Sequence, residues 1–305
     1  MAAAALLRQS DLGHLVKYLV ISPVKDEGLY VEHTLRSMIA QTVQPLRWII
    51  VDDGSRDQTP EILDRYQKNH GFIRVVRNSP GQIRQPGSGV IRAFNRGLET
   101  AGDLDYDFIV KLDCDLSFDA DYFEKLLHAF SEHPRLGIAS GVYQEASEDG
   151  RWIEVPMPSY HAAGASKVVR RACFEEIGGF VAARGWDTVD EIRAMALGWD
   201  SRHFSEFKLR HLKPEGSGIG SIRTNMMHGE IYYLTGGSKL FFALKVVHRA
   251  IHRPFLIGGL ALFWGYMRAV TQRRQRLVSA EEARCYRSLL NGRLTSKLKG
   301  LFRRV

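Results

Sequence analysis

Two groups of aspartates, far apart in the chain, are placed to do chemistry: Asp52-Asp53 and Asp113-Cys114-Asp115. Two carboxylates within three residues are hard oxygen donors. They suit Mg²⁺ or Mn²⁺, ions that keep some of their waters and bridge substrate phosphates. A metal held there would neutralise charge developing on a departing diphosphate. Asp52-Asp53 leads into Gly54-Ser55 and Thr59, and its carboxylates can accept hydrogen bonds from a base N–H or from ribose hydroxyls. A purely structural reading competes at each place. Acidic residues before Gly or Ser form Asx-turns, and Thr59 before Pro60-Glu61 reads as a helix cap.

The elements that must position these residues are legible as alternating signals. Short apolar, β-branched runs occur at 18–24, 48–51, 72–76 and 108–112, and they read as strands. Between and after them, 31–40, 59 onward, 89–100 and 119–132 read as helices; in the last, Tyr122, Phe123, Leu126, Leu127 and Phe130 recur at helical spacing. A βαβαβαβα series of this kind predicts an α/β domain with a mixed, mainly parallel sheet and flanking helices. Ligands in such sheets bind beyond the strand carboxyl ends. Asp52-Asp53 and Asp113-Asp115 both fall at such ends, so the topology brings them to one edge. Further on, 136–143, 152–155 and 203–212 read as strands, while 167–177 and 187–197 read as helices; 215–220 is a Gly- and Ser-rich loop.

Composition bounds the rest. The 305 residues suffice for one large core or a core with an appendage, and the apolar and charged fractions, 45% and 25%, are ordinary for a folded protein. The three cysteines, Cys114, Cys173 and Cys285, are widely spaced, which suggests neither a disulfide framework nor a zinc site and favours a reducing, cytoplasmic location. Residues 1–7 are apolar but lack the basic start and longer apolar run of a signal peptide. The apolar run at 254–266 is short for a membrane span.

From Lys239 onward there are 15 Lys/Arg against 2 Asp/Glu, a net of +13 in a chain of net +8. With Leu240-Phe241-Phe242, Val246-Val247, Trp264 and Tyr266 interspersed, this basic region predicts a partner that is an anionic membrane surface rather than nucleic acid. A solvated or packed helical tail is the competing reading. The expected domains are an N-terminal extension over 1–16, a catalytic domain over 17–238 and a basic, amphipathic helical region over 239–305.

Taken in order, Ile21-Ser22-Pro23-Val24-Lys25-Asp26-Glu27, Val51-Asp52-Asp53-Gly54-Ser55 with Asp57 and Thr59, and Asp113-Cys114-Asp115 resemble glycosyltransferase family two over about the first 200 residues. The resemblance implies a GT-A fold, a nucleotide-diphosphate sugar donor, a divalent metal (Mg²⁺ or Mn²⁺) and inversion at the anomeric carbon. It places the nucleoside at Pro23, Val24 and Asp53 together with Asp52, the metal at Asp115, and Asp113 at the ribose or the metal. Arg84 and the segment from Arg92 to Asn95 fall where the family contacts its donor. Its catalytic base, an acid at a helix start with Gly about a dozen residues later, maps to Asp187 ahead of Gly198-Trp199, with Trp186 in place of the usual first acid. Asp190 and Glu191, one helical turn on, are alternatives. His211, in His211-Leu212-Lys213-Pro214, matches the late metal-ligating histidine of some GT-A enzymes, and Lys213 a phosphate contact. The expected acceptor is a glycan or a lipid-linked hydroxyl, the latter suggested by the basic, apolar tail and not by any acceptor motif. Two other readings are a sugar-phosphate nucleotidyltransferase, for which the Gly-rich basic loop is missing after the first strand, and a non-catalytic nucleotide-sugar-binding scaffold.

Overall fold

The first strand, β1 (Tyr18–Val24), and the second, β2 (Arg47–Asp52), are almost wholly buried, as strands covered by helices on both faces must be. The structure, a computed structural model, describes residues 16–78, 88–213 and 220–302. Among these, two compact units separate: one runs up to residue 183 and resumes from 198 to 213, and the other comprises 184–197 and the chain from 220 onward.

The first unit carries the sheet. After β1 comes α1 (Val31–Ile39); after β2, α2 (Thr59–Asn69), β3 (Ile73–Arg77), α3 (Ser88–Ala101) and β4 (Phe108–Leu112). There follow β5 (Leu116–Phe118), α4 (Tyr122–Glu132), β6 (Leu136–Ala146), β7 (Trp152–Glu154), β8 (Ser166–Arg170), α5 (Arg171–Glu176) and β9 (Asp200–His211). The strand order is β3-β2-β1-β4-β8-β6-β9-β5, with β7 paired to β6. The four strands from β3 to β4 are parallel; β8 then runs antiparallel to β4 and to β6, β9 runs parallel to β6, and β5 antiparallel to β9. The sheet is therefore mixed, as expected.

One face of the sheet holds the main core. Tyr18, Val20, Trp48, Ile50, Val110 and Leu112 pack there with Leu35 and Met38 of α1 and with Phe123, Leu126 and Phe130 of α4. Alternate residues Leu19, Ile21, Ile49, Val51 and Ile109 are equally buried on the other face. Strands read as 136–143 and 203–212 run three residues further, to Ala146 and from Asp200, and two other segments differ from the sequence reading. The segment 167–177 is not one helix: Ser166–Arg170 is a strand, and only Arg171–Glu176 is helical. Val168 and Val169 are fully buried there, and a buried strand and a buried helix share the same apolar signal. The helix expected from residue 119 starts at Tyr122, because Leu116–Phe118 pairs with β9.

The second unit is helical: α6 (Trp186–Ala196), α7 (Ser221–Leu234), α8 (Lys239–Ala250), α9 (Ile257–Thr271) and α10 (Ala280–Phe302). Among the described residues no helix is long and apolar enough to cross a membrane.

Candidate active site

Parallel pairing puts the carboxyl ends of β1, β2 and β4 at one edge. Val24 lies in register with Asp52, and Asp52 with Arg77. The loops after β1 and β2 are stitched together. Asp53 donates its backbone N–H to Val24 O at 2.9 Å, and Asp26 donates its N–H to the Ser55 hydroxyl at 2.9 Å. Asp57 accepts from Gly28 N–H at 2.7 Å and from Thr59 N–H at 3.0 Å. Asp57, rather than Thr59, thus caps α2; the Thr59 hydroxyl turns back to accept from Glu27 N–H at 2.9 Å. Burial alone would push the Asp57 carboxyl up, but these hydrogen bonds outweigh it and hold it below its ordinary pKa.

Of the two leading aspartates, Asp52 is buried and its Oδ1 accepts from Ser55 N–H at 2.9 Å, which closes the turn after β2. Asp53 is half-buried and accepts from the Asn78 side-chain amide at 3.1 Å. Pro23 and Val24 end β1 directly beside them. Arg84 lies outside the described residues; Arg92 and Asn95 lie on α3.

The Asp113-Cys114-Asp115 turn is held on three sides. Asp113 N–H donates to Ala165 O at 2.7 Å, Asp115 O accepts from Leu212 N–H at 2.8 Å, and the buried Thr34 hydroxyl both accepts from Leu116 N–H and donates to Leu116 O, at 2.9 and 2.8 Å. Cys114 points into the core, and burial raises its thiol pKa well above the ordinary value. The two aspartates then diverge. Asp113 Oδ1 takes an ion pair from Lys111 Nζ at 2.5 Å, and Lys111, buried in β4, also donates to Gly164 O at 2.9 Å. Burial raises the Asp113 pKa; Lys111 opposes that shift and Asp115 adds to it.

Asp115 faces the end of β9. Its Oδ2 lies 3.3 Å from His211 Nε2, while Oδ1 is buried with no hydrogen-bond partner. His211 Nδ1 lies 3.6 Å from Glu145 Oε1 on β6, and Glu145 and His211 are register partners. Burial lowers the His211 pKa, but the hydrogen bond and charge of Asp115 outweigh it, and the net shift is upward. Nearby, Lys213 Nζ pairs with Glu27 Oε1 at 2.6 Å. Sequence reasoning had not singled out Lys111, Glu145 or Glu27. Lys111 carries a usable signal, a cation inside an otherwise apolar strand; Glu145 carries none short of the β6–β9 register.

An orphaned, buried carboxylate oxygen beside an imidazole is an unsatisfied pair that a cation would satisfy. Asp115 and His211 therefore fit a divalent metal, with Asp113 two residues from Asp115 but held by Lys111. Among the described residues no three acidic, histidine or cysteine side chains converge tightly enough to form a complete ligand set.

Asp187, Asp190 and Glu191 lie on α6 in the second unit. Asp187 is in its first turn and half-exposed; Asp190 and Glu191 are buried, and Asp190 Oδ1 accepts from Glu191 N–H at 2.7 Å. α6 starts at Gly185, whose φ of 80° and whose space, 2.6 Å from a would-be Cβ to Ile231 Cγ2, admit no other residue without strain.

Residues 19–184 match the family model described as Glycosyl transferase family 2. Curated relatives include the poly-beta-1,6-N-acetyl-D-glucosamine synthases of Staphylococcus aureus strain COL and of Staphylococcus epidermidis, each 30% identical over 116 residues, or 38% of this chain. The chain spans about a quarter of those relatives' length, 26%. Among solved structures, the mannosyltransferase PcManGT from Pyrobaculum calidifontis, in complex with GDP-Man and Mn²⁺, has a TM-score of 0.56 at 16% identity, covering 94% of this chain and 82% of that one. S. aureus TarS 1-349 in complex with UDP-GlcNAc has a TM-score of 0.54 at 17% identity, covering 89% and 78%. These likenesses show the GT-A fold.

Proposed function

The chain belongs to glycosyl transferase family 2, and on that premise we propose that this glycosyltransferase moves a sugar, with inversion, from a nucleotide-diphosphate donor to an acceptor hydroxyl. Membership in the family sets aside the nucleotidyltransferase and scaffold readings. The observation that carries the proposal is the meeting of Asp115 and His211 at the same sheet edge as Pro23, Val24, Asp52 and Asp53. Proteins of the same fold, PcManGT with GDP-Man and Mn²⁺ and TarS with UDP-GlcNAc, support a nucleotide-sugar and a divalent ion.

In this reading the ends of β1 and β2 receive the nucleoside, with Asp53 as the accessible acceptor and Asp52 tied into the turn that shapes the pocket wall. Asp115 and His211 hold Mg²⁺ or Mn²⁺, which stabilises negative charge on the diphosphate. Asp113, fixed by Lys111, would contact the ribose or the metal. Asp187 takes the proton from the acceptor hydroxyl, since it is the half-exposed member of its acidic cluster, with Asp190 and Glu191 as the alternatives. The acceptor is a glycan, as the poly-N-acetylglucosamine synthases suggest, or a lipid-linked hydroxyl met at an anionic membrane surface on the cytoplasmic side. The test is a panel of UDP-, GDP- and dTDP-sugars incubated with and without Mn²⁺. Sugar release or transfer that needs both one donor and the ion supports the proposal; metal-independent turnover of every donor sinks it.

A further inference from the structure

We infer that the outward face of α8 and α9 is a docking surface for an anionic lipid bilayer, entered side-on rather than crossed. This deepens, and rests on, the membrane reading above by assigning it to named residues. α8 carries a stripe at helical spacing, Leu240, Leu244, Val247 and Ile251, each about half to two-thirds exposed. The connecting turn adds Phe255 and Leu256, and α9 adds Leu260 and Trp264; these four are 60–68% exposed. Isolated exposed apolar residues are ordinary, but a continuous run of large ones over two adjoining helices is not.

α9 shows why these side chains are not misplaced core. Its buried residues are mostly small: Gly258, Gly259, Ala261, Gly265 and Ala269. They let it press onto α7. A Cβ at Gly265 would come within 1.9 Å of Met226 O, and one at Gly229 within 2.0 Å of Leu262 O. A helix of a water-soluble core turns its large residues inward. Here small residues serve the close backbone approach, Leu262 and Tyr266 pack inward, and Leu260, Phe263 and Trp264 face away, an arrangement suited to lipid contact.

Charge selects the occupant. Between Lys239 and Ala280 there are eight Lys/Arg and no Asp or Glu, and Lys239, Arg253 and Arg268 are exposed beside the apolar stripe. A cationic border around an apolar face matches an anionic headgroup layer and repels a second copy bearing the same charge. α9 has 15 residues and no helix among those described spans a bilayer, so the helices lie in the interface.

The test is sedimentation of the full chain with vesicles of phosphatidylcholine alone and of phosphatidylcholine mixed with phosphatidylglycerol. Binding to the mixed vesicles only, weakened by salt, is expected. Leu244→Glu/Leu260→Glu, at two exposed helical positions, should lower partitioning at least about tenfold, with thermal melting unchanged. Lys239→Gln/Arg268→Gln should weaken it several-fold and leave the apolar face intact. Equal binding of wild type and both variants, or no binding of wild type to either vesicle, overturns the inference. A dimer in solution that Leu244→Glu/Leu260→Glu dissociates would assign the face to a second copy and overturn it as well. Donor hydrolysis in vesicle-free buffer, measured in parallel, reads the catalytic assignment separately, so the two proposals fail independently.

Discussion

His211 Nε2 sits 3.3 Å from Asp115 Oδ2, joining the end of β9 to the turn after β4 across 96 residues of sequence. In the proposed site this pair marks the metal end more sharply than the Asp-Cys-Asp tripeptide does, because Asp113 is already engaged by Lys111. Asp115→Ala should abolish metal-dependent transfer, by at least about 10²-fold in kcat, the scale on which a single electrostatic stabiliser acts. Mn²⁺ titration by electron paramagnetic resonance should show the tight site lost. Near-normal turnover in this variant would remove Asp115 from the metal site.

Glu145 faces the other nitrogen of the same ring, Nδ1, at 3.6 Å. A carboxylate behind a metal-binding histidine fixes its tautomer and orientation, and its removal typically weakens metal affinity by about 10–100-fold. Glu145→Gln should raise the apparent Kd for Mn²⁺ by that factor with little change in melting temperature, and saturating Mn²⁺ should restore most of kcat. If metal affinity is unmoved, Glu145 is only a strand residue.

Asp187→Asn should keep donor binding, measured calorimetrically, and lose transfer by about 10²–10⁴-fold, the contribution of a positioned general base. Asp190→Asn should instead act on stability, since Asp190 is buried and bonded to the N–H of Glu191. Should Asp187→Asn stay active while Asp190→Asn is folded and inert, the base is Asp190.

The pair of buried Lys111 and half-buried Asp113 gives a stability prediction. Lys111→Met leaves a carboxylate 31% exposed at its side chain without its partner, so the loss falls below that of a fully buried pair, at roughly 1–3 kcal/mol. Urea denaturation should show a loss of that order, and Lys111→Met/Asp113→Asn should recover much of it. A single variant as stable as wild type would mean that the pair is solvated and weak.

Chelation tests the ion more directly. With nucleotide and Mn²⁺ together the melting temperature should rise, because both bind the native state. EDTA should reverse the rise, and nucleotide alone should give a smaller one.

The residues that reached the sheet edge were legible where local signals suffice. β4 spans Phe108–Leu112, as its apolar run predicts, and that places Asp113 at a strand end. The same holds for β1 and for Asp52-Asp53 after β2. What escaped the sequence was set by pairing. Ser166–Arg170 is a strand because β4 and β6 flank it, and nothing in Ser-Lys-Val-Val-Arg itself demands that. Glu145 meets His211 only through the register of β6 and β9, which shifts twice along its length. His211 was found by likeness to other enzymes, not by spacing, since its partner lies on a strand far from it in sequence. Thr59 was read as a cap because its type fits one, whereas Asp57, two residues earlier, has the better reach.

The inward turn of Cys114 has a practical corollary. Cys114 and Cys173 are buried, and the Cys114 thiol is held protonated, so neither offers a thiolate to an alkylating reagent in the folded protein. Cys285 on α10 is partly exposed. A maleimide fluorophore should therefore mark the native enzyme at a single position in the helical unit and leave the carboxylates on either side of Cys114 untouched, giving an optical reporter on that unit without any engineered residue.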